Sequence, residues 1–347
     1  MKNLHVAALM TFLIVVGGCG EDDTTRRTSL GVIPNPALLV ANGGAGIVQV
    51  IDLVAGTVVA TAPVDEEFYP HHLSASHDGA YVLMTATDTD LSGGHGGGHG
   101  GHGESAASRV YRIDTATGEF IKVLSLDATV HNAVFLGESD DFALCQNEHG
   151  MLHVYDGDTH EQIWSAAVGS MPLEATPTHD GSLVVVANSG DATVSVVDVA
   201  ARAVSRTIPV GQTPVAAWLS ADGSFHVSNE EGGTLSMLNG GLSEVSATID
   251  VMGVPGQAFE TPDGSELWVA IEDRGVVGIY DATTHVLHHE IPVGAKPHGI
   301  AFNTSGSVAY VTNETSGKVH VIDVATRQVL RDFTVGGKPN GVVFLDR

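Results

Sequence analysis

The 347-residue sequence holds only two cysteines, Cys19 and Cys145, and no Cys-x-x-Cys or Cys-x-x-Cys-His run. That excludes a disulfide framework, a zinc-thiolate knuckle and c-type haem attachment, so any metal must be held by nitrogen and oxygen donors. Positive charge is scarce: 15 Lys and Arg stand against 41 Asp and Glu, a formal net charge of -26. Such a balance repels phosphate backbones and anionic lipid and favours cations, which excludes nucleic acid as a partner. No stretch shows helical periodicity, and the apolar run from Val6 to Val16 is too short to span a bilayer as a helix. There is no Gly-x-Ser-x-Gly elbow, no phosphate-binding Walker loop and no His-Glu-x-x-His pattern, so no catalytic motif is present and the chain is not expected to be an enzyme. What is abundant is glycine, 42 residues, within a chain that is 43% hydrophobic. This is the composition of a globular, turn-rich protein.

Lys2, the apolar run and Gly17-Gly18-Cys19 read as a secretory signal. The run Val16-Gly17-Gly18-Cys19 resembles the lipobox of bacterial lipoproteins. The resemblance implies that residues 1-18 are a signal peptide and that Cys19 carries the lipid anchor. Residues 19-37 would then be a polar tether, and the protein would be exported and membrane-bound on the periplasmic side of the envelope. Gly20 stands where an inner-membrane retention signal places Asp, which implies the outer membrane.

Self-similarity dominates the rest of the chain. An aspartate closes an apolar run at Asp52, Asp114, Asp156, Asp198, Asp281 and Asp323, with Asn239 in its place once; the steps are 42 or 41 except for one of 62. A second register gives the same count: Pro70, Val130, Pro172, Pro214, Pro255, Pro297 and Pro339. Within each unit, short apolar runs such as Ala309-Tyr-Val-Thr and Val319-His-Val-Ile are separated by Gly, Asn, Asp and Ser, the pattern of antiparallel strands. Seven such units predict an all-β, seven-bladed β-propeller over residues 38-347. Residues 38-65 would supply the outer strands of a blade whose inner strand is 339-345, a closing seam joining the two ends. Tyr310-Val-Thr-Asn313, the Val-Gly-x-x-Pro runs beginning at Val210, Val293 and Val335, and the Val-Ile-Asp closures resemble the YVTN-repeat β-propeller family. That resemblance implies the fold and is nearly silent on function, since such propellers include lactonases, cofactor-bearing oxidoreductases, surface-layer proteins and metal carriers.

The one long step marks an insertion at residues 88-108, which contains His95-Gly-Gly-Gly-His99-Gly-Gly-His102 flanked by Asp88, Asp90 and Glu104. Three imidazoles spaced by glycine, with carboxylates nearby, make a supple chelator for a borderline divalent ion. Superposing the units reveals a second set. The residue after the opening proline is His71, His131, Leu173, Val215, Gly256, His298 and Asn340 in turn. Because the ring closes, His298, Asn340, His71 and His131 fall on four successive blades, at the start of the strand lining the channel. His72 and Glu174 follow one residue later, and His149 lies in the loop equivalent to the insertion. Strand direction places the insertion on the same face as these histidines, and an extended arm of about ten residues reaches on the order of 30 Å. His71, His72, His131, His298, His95, His99, His102 and His149 are therefore the candidate metal ligands, with zinc the leading ion. The resulting expectation is an envelope lipoprotein that binds a divalent transition metal and passes it to a periplasmic metal-binding or transporter protein. In architecture and composition this resembles the periplasmic zinc metallochaperones. The competing readings are a metal-independent interaction module and, further off, a channel lactonase or an oxidoreductase carrying a cofactor. Cys145, on an apolar strand, reads as a small core residue.

Overall fold

The computed structural model describes residues 28-91 and 106-347. Cys19, His95, His99 and His102 lie outside the described residues. The strands assemble into seven antiparallel sheets arranged as the blades of a seven-bladed propeller, as the repeat predicts. In the sixth blade, for example, the order outward from the channel is Pro297–Phe302, Val308–Asn313, Lys318–Asp323 and Gln328–Thr334. Seven apolar clusters fill the ring, each between two neighbouring blades. The cluster joining the fifth and sixth blades, for instance, packs Ile279 and Ile291 against Ile300 and Val311. Strands buried on both faces in this way carry runs such as Val184-Val185-Val186 rather than strict alternation.

The repeat's invariant-looking polar residues are accounted for by backbone geometry. The closing aspartate accepts from backbone N–H groups two or three residues on, as Asp323 does from Thr326 N and Asp114 does from Thr117 N, fixing the outer hairpin. The asparagine of the Tyr-Val-Thr-Asn run ties its blade to the preceding Val-Gly turn: Asn313 Nδ2 donates to Val293 O and Gly294 O, both at 2.9 Å. These buried amides satisfy backbone groups that would otherwise be stranded between blades.

The closing seam is formed by Pro339–Leu345, which pairs antiparallel with Ala37–Asn42; Ile47–Asp52 and Thr57–Pro63 complete that blade. One feature differs from the sequence reading. Part of the segment assigned to the tether is bound to the ring: Thr28–Ser29 adds a fifth strand to the first blade through Phe120 and Glu119, and Leu30 and Ile33 are buried between the seventh and first blades. Asn35 and Arg347 exchange two hydrogen bonds that fasten this segment to the last residue. Polar composition hid two well-placed apolar anchors. Cys145 lies fully buried in Phe142–Gln146, where burial pushes its thiol up and leaves it inert.

Candidate functional site: the histidine-bearing end of the channel

The candidate residues owe their direction to a break in the ladder. In the inner strands the pairing register shifts between Pro70 and Leu73, Pro172 and Ala175, Pro255 and Ala258, and Pro297 and Ile300. The one or two residues after each opening proline are thus lifted out of the sheet, and a bulge of this kind re-aims side chains away from the regular pleat. The loosened positions are those bearing His71-His72, Leu173-Glu174, Gly256-Gln257 and His298-Gly299. Glycine at the second position lets the blades draw close: a Cβ on Gly341 would lie 2.5 Å from His71 O, and one on Gly299 would lie 2.4 Å from Asn340 O.

Four of the predicted ligands come together. His71, His72, His131 and His298 are all buried. The His71 ring centroid is 4.2 Å from that of His72, 5.5 Å from that of His131 and 5.9 Å from that of His298; His72 and His298 are also 5.9 Å apart. His149 is not part of this group. It is exposed, with Nδ1 2.7 Å from Gln146 Oε1. The repeat places it on the correct loop, but that loop turns outward after Asn147.

Hydrogen-bond partners fix how the imidazoles present their nitrogens. Gln257 Oε1 accepts from Ile300 N, so its amide nitrogen faces His72 Nδ1 at 3.4 Å and donates to it. Asn340 Oδ1 likewise accepts from Gly341 N, and its Nδ2 donates to His71 Nδ1 at 3.0 Å. In the neutral imidazole an accepting Nδ1 leaves the proton on Nε2. His72 Nε2 lies 2.9 Å from Glu174 Oε1 as an ion-pair contact, off the line of a hydrogen bond. His298 is the reverse: Nδ1 faces the carbonyl Asn340 O at 3.3 Å, which can only accept, so in the neutral ring the lone pair is on Nε2, 4.0 Å from Glu272 Oε1. With its amide turned to donate to Pro172 O and Thr129 O, Asn147 accepts from His131 Nε2 at 3.2 Å.

The sequence reading passed over a ring of carboxylates. Glu230, Glu272 and Glu314 each follow the last residue of a second strand on successive blades, in steps of 42. The superposition that exposed the histidines would have exposed these too, had it been carried along the second strand. Glu314 is buried, and loss of water pushes its carboxyl up to about 7, with Glu272 adding to the rise and His298 opposing it; Lys296 Nζ sits 4.0 Å away. A void of about 10 Å³ opens among His72, Glu174, Glu230, Gln257, Glu272 and His298, room for one water-sized occupant. Among the described residues, no group of three or more His, Cys, Asp and Glu side chains is arranged so that it could hold a metal ion. The insertion leaves the ring at this same end: Thr87 pairs with Ser108, while Tyr69, beside the His71 bulge, also pairs with Thr87. Asp90, at its start, forms an ion pair with Lys338, two residues before Asn340.

No family model matches the chain, and no curated protein matches it. Solved structures do. The chain is similar to a putative 6-phosphogluconolactonase from Bacteroides fragilis (TM-score 0.68, 16% identity, covering 90% of this chain and 98% of that one). It is also similar to a functionally unknown protein from Desulfotomaculum acetoxidans (TM-score 0.69, 12% identity, covering 89% and 99%). A third likeness is to the dihydro-heme d1 dehydrogenase NirN (TM-score 0.66, 14% identity, covering 91% and 79%). At these identities the likeness establishes the fold, a scaffold that serves enzymes among others, and leaves the chemistry to the chain's own residues.

Proposed function

We propose that this end of the channel captures a divalent transition metal ion, zinc foremost, as cargo, with the His-Gly insertion as the collecting arm. The observation that supports this reading above the others is the void itself: two imidazoles and three carboxylates line it beside Val215, Ala216 and Trp218, and its volume suits an ion and excludes an organic substrate such as a sugar lactone. The donor set fits a borderline divalent ion, since imidazole and carboxylate are the ligands such ions accept in the absence of thiolate. Because the side chains are engaged with one another in the metal-free protein, arrival of an ion must draw some of them out of those hydrogen bonds. That reorganisation weakens binding and suits transfer rather than storage. The acidic surface favours cation approach. Export, attachment through Cys19 at the outer membrane and delivery to a periplasmic metal-binding or transporter protein complete the reading.

Calorimetric titration of zinc into protein purified without a histidine tag tests it. The expected result is saturable binding near one ion per chain in the channel. Changing His95, His99 and His102 together to Ser is expected to slow uptake and weaken affinity several-fold without abolishing it. No zinc heat would instead favour a metal-independent interaction module.

A further inference from the structure

We infer that the channel imidazoles divide their labour: His298 is a metal ligand, whereas His72 keeps its proton on Nε2, the nitrogen beside Glu174, and Gln257 is the positioning residue that holds it in that tautomer. The inference deepens the metal-capture reading and depends on it only for the affinity measurements below.

The argument starts at a backbone group. Ile300 N donates to Gln257 Oε1 at 3.0 Å, which rules out the flipped amide because two donors would then face each other. Gln257 Nε2 therefore points at His72 Nδ1, and His72 Nε2, beside Glu174 Oε1, carries the proton. The two hydrogen bonds run from the sixth blade to the fifth and on to the first with their donors pointing the same way, and the ion-pair contact carries the line to the third. Each member is buried: Gln257, His72 and Glu174 are 7%, 8% and 4% exposed, so water does not scramble the arrangement. A proton on Nε2 blocks that nitrogen as a ligand and puts its partial positive charge beside the Glu174 carboxylate. His298 has the opposite arrangement, with a carbonyl behind Nδ1 and a lone pair on Nε2 facing Glu272, the form in which a metal-binding imidazole is usually held from behind. The site that results is richer in oxygen than four histidines suggest: Glu174, Glu230 and Glu272 with His298 around the void. Asn340 makes the same choice at His71.

Two measurements test this. Nitrogen-15 imidazole spectra of the full-length, zinc-free protein report each tautomer directly: His72 and His71 are expected with the proton on Nε2 and His298 with it on Nδ1. A Nδ1 proton on His72 would overturn the inference whether or not the protein binds metal. In Gln257→Leu the His72 signals are expected to move towards a tautomer mixture while those of His71 stay; unchanged His72 signals would count against the positioning role. Gln257→Glu keeps an acceptor for Ile300 N and removes the donor, so it gives the same reading if the Leu variant does not fold. For zinc, His72→Gln, whose amide nitrogen can replace Nε2–H, is expected to bind within about tenfold of the parent, and His298→Gln to lose at least about a hundredfold. The opposite order would make His72 the ligand and overturn the division. If the parent protein binds no zinc, metal capture fails, and the tautomer spectra still decide whether Gln257 acts as inferred.

Discussion

The two halves of the channel wall are built on the same backbone and differ in chemistry at the residue after the opening proline. Where the third, fourth and fifth blades present Leu173, Val215 and Gly256, the sixth, seventh, first and second present His298, Asn340, His71 and His131. On the first side the position joins the core: Leu173 and Val215 pack in the apolar cluster with Ile249 and Tyr280. On the second it assembles buried imidazoles held by amides and carbonyls. The repeat supplies a position that folding tolerates in either form, so a polar choice concentrated on adjacent blades reflects something other than the needs of the ring.

Exchanging the halves should sharpen this contrast most. His298→Ala combined with His131→Ala is expected to lower zinc affinity by about a hundredfold or more, with the melting temperature little changed. Leu173→Ala is expected to leave affinity alone while costing about 2–4 kcal/mol of stability through the cavity it opens. Titration and thermal unfolding on the same samples check both; a Leu173 variant that loses metal without losing stability would break the comparison.

A buried histidine outside the channel provides an internal control of similar size. His226 is fully buried between the fourth and fifth blades, donating from Nε2 to Ala258 O at 2.8 Å with Nδ1 near Ser220 Oγ. Burial pushes it down to about 4. Its unfolded value is near 6.5, so the neutral form stabilises the fold above that pH, and the contribution is lost as pH falls from about 6.5 to 4, roughly 3 kcal/mol in all. Denaturant titrations across that range should show the loss, and His226→Gln should flatten it. Equal pH dependence in the two proteins would place the acid sensitivity elsewhere.

The smallest expected effect concerns one glycine near the start of an inner strand in each half, Gly341 two residues after its opening proline and Gly256 one residue after its own. Gly341→Ala drives a Cβ against His71 O and should cost about 1–3 kcal/mol while disturbing metal binding. At Gly256 the nearest atom to an added Cβ is the Glu272 carboxylate oxygen at 3.0 Å, the end of a flexible side chain, so Gly256→Ala should be better tolerated. Thermal unfolding of the pair reads the difference directly, and equal losses would mean that close approach of the blades is not what the glycines provide.

The ring was legible because its signals are periodic. The closing aspartates and opening prolines recur at nearly constant steps, with Asn239 and Val130 as the substitutes, because the turns favour those residues. The histidine set was legible for the same reason, once the units were superposed. Other features were not. The bulge that lifts His71 and His298 from their strands leaves no residue signature beyond the proline before it. Gln257 matters through which neighbours it meets across the channel, and spacing along the chain does not encode distances between opposite blades. Leu30 and Ile33 are two apolar residues in a polar stretch, too few for a pattern, yet they bind that stretch to the ring.

The most direct measurement of the central claim is the anomalous scattering of zinc in crystals of the protein soaked with one equivalent of the metal. The account predicts a peak among His298, Glu272, Glu230 and Glu174, about 2.0–2.1 Å from His298 Nε2. Strong zinc density confined to surface histidines such as His288 or His149, with the channel residues unmoved, would contradict it.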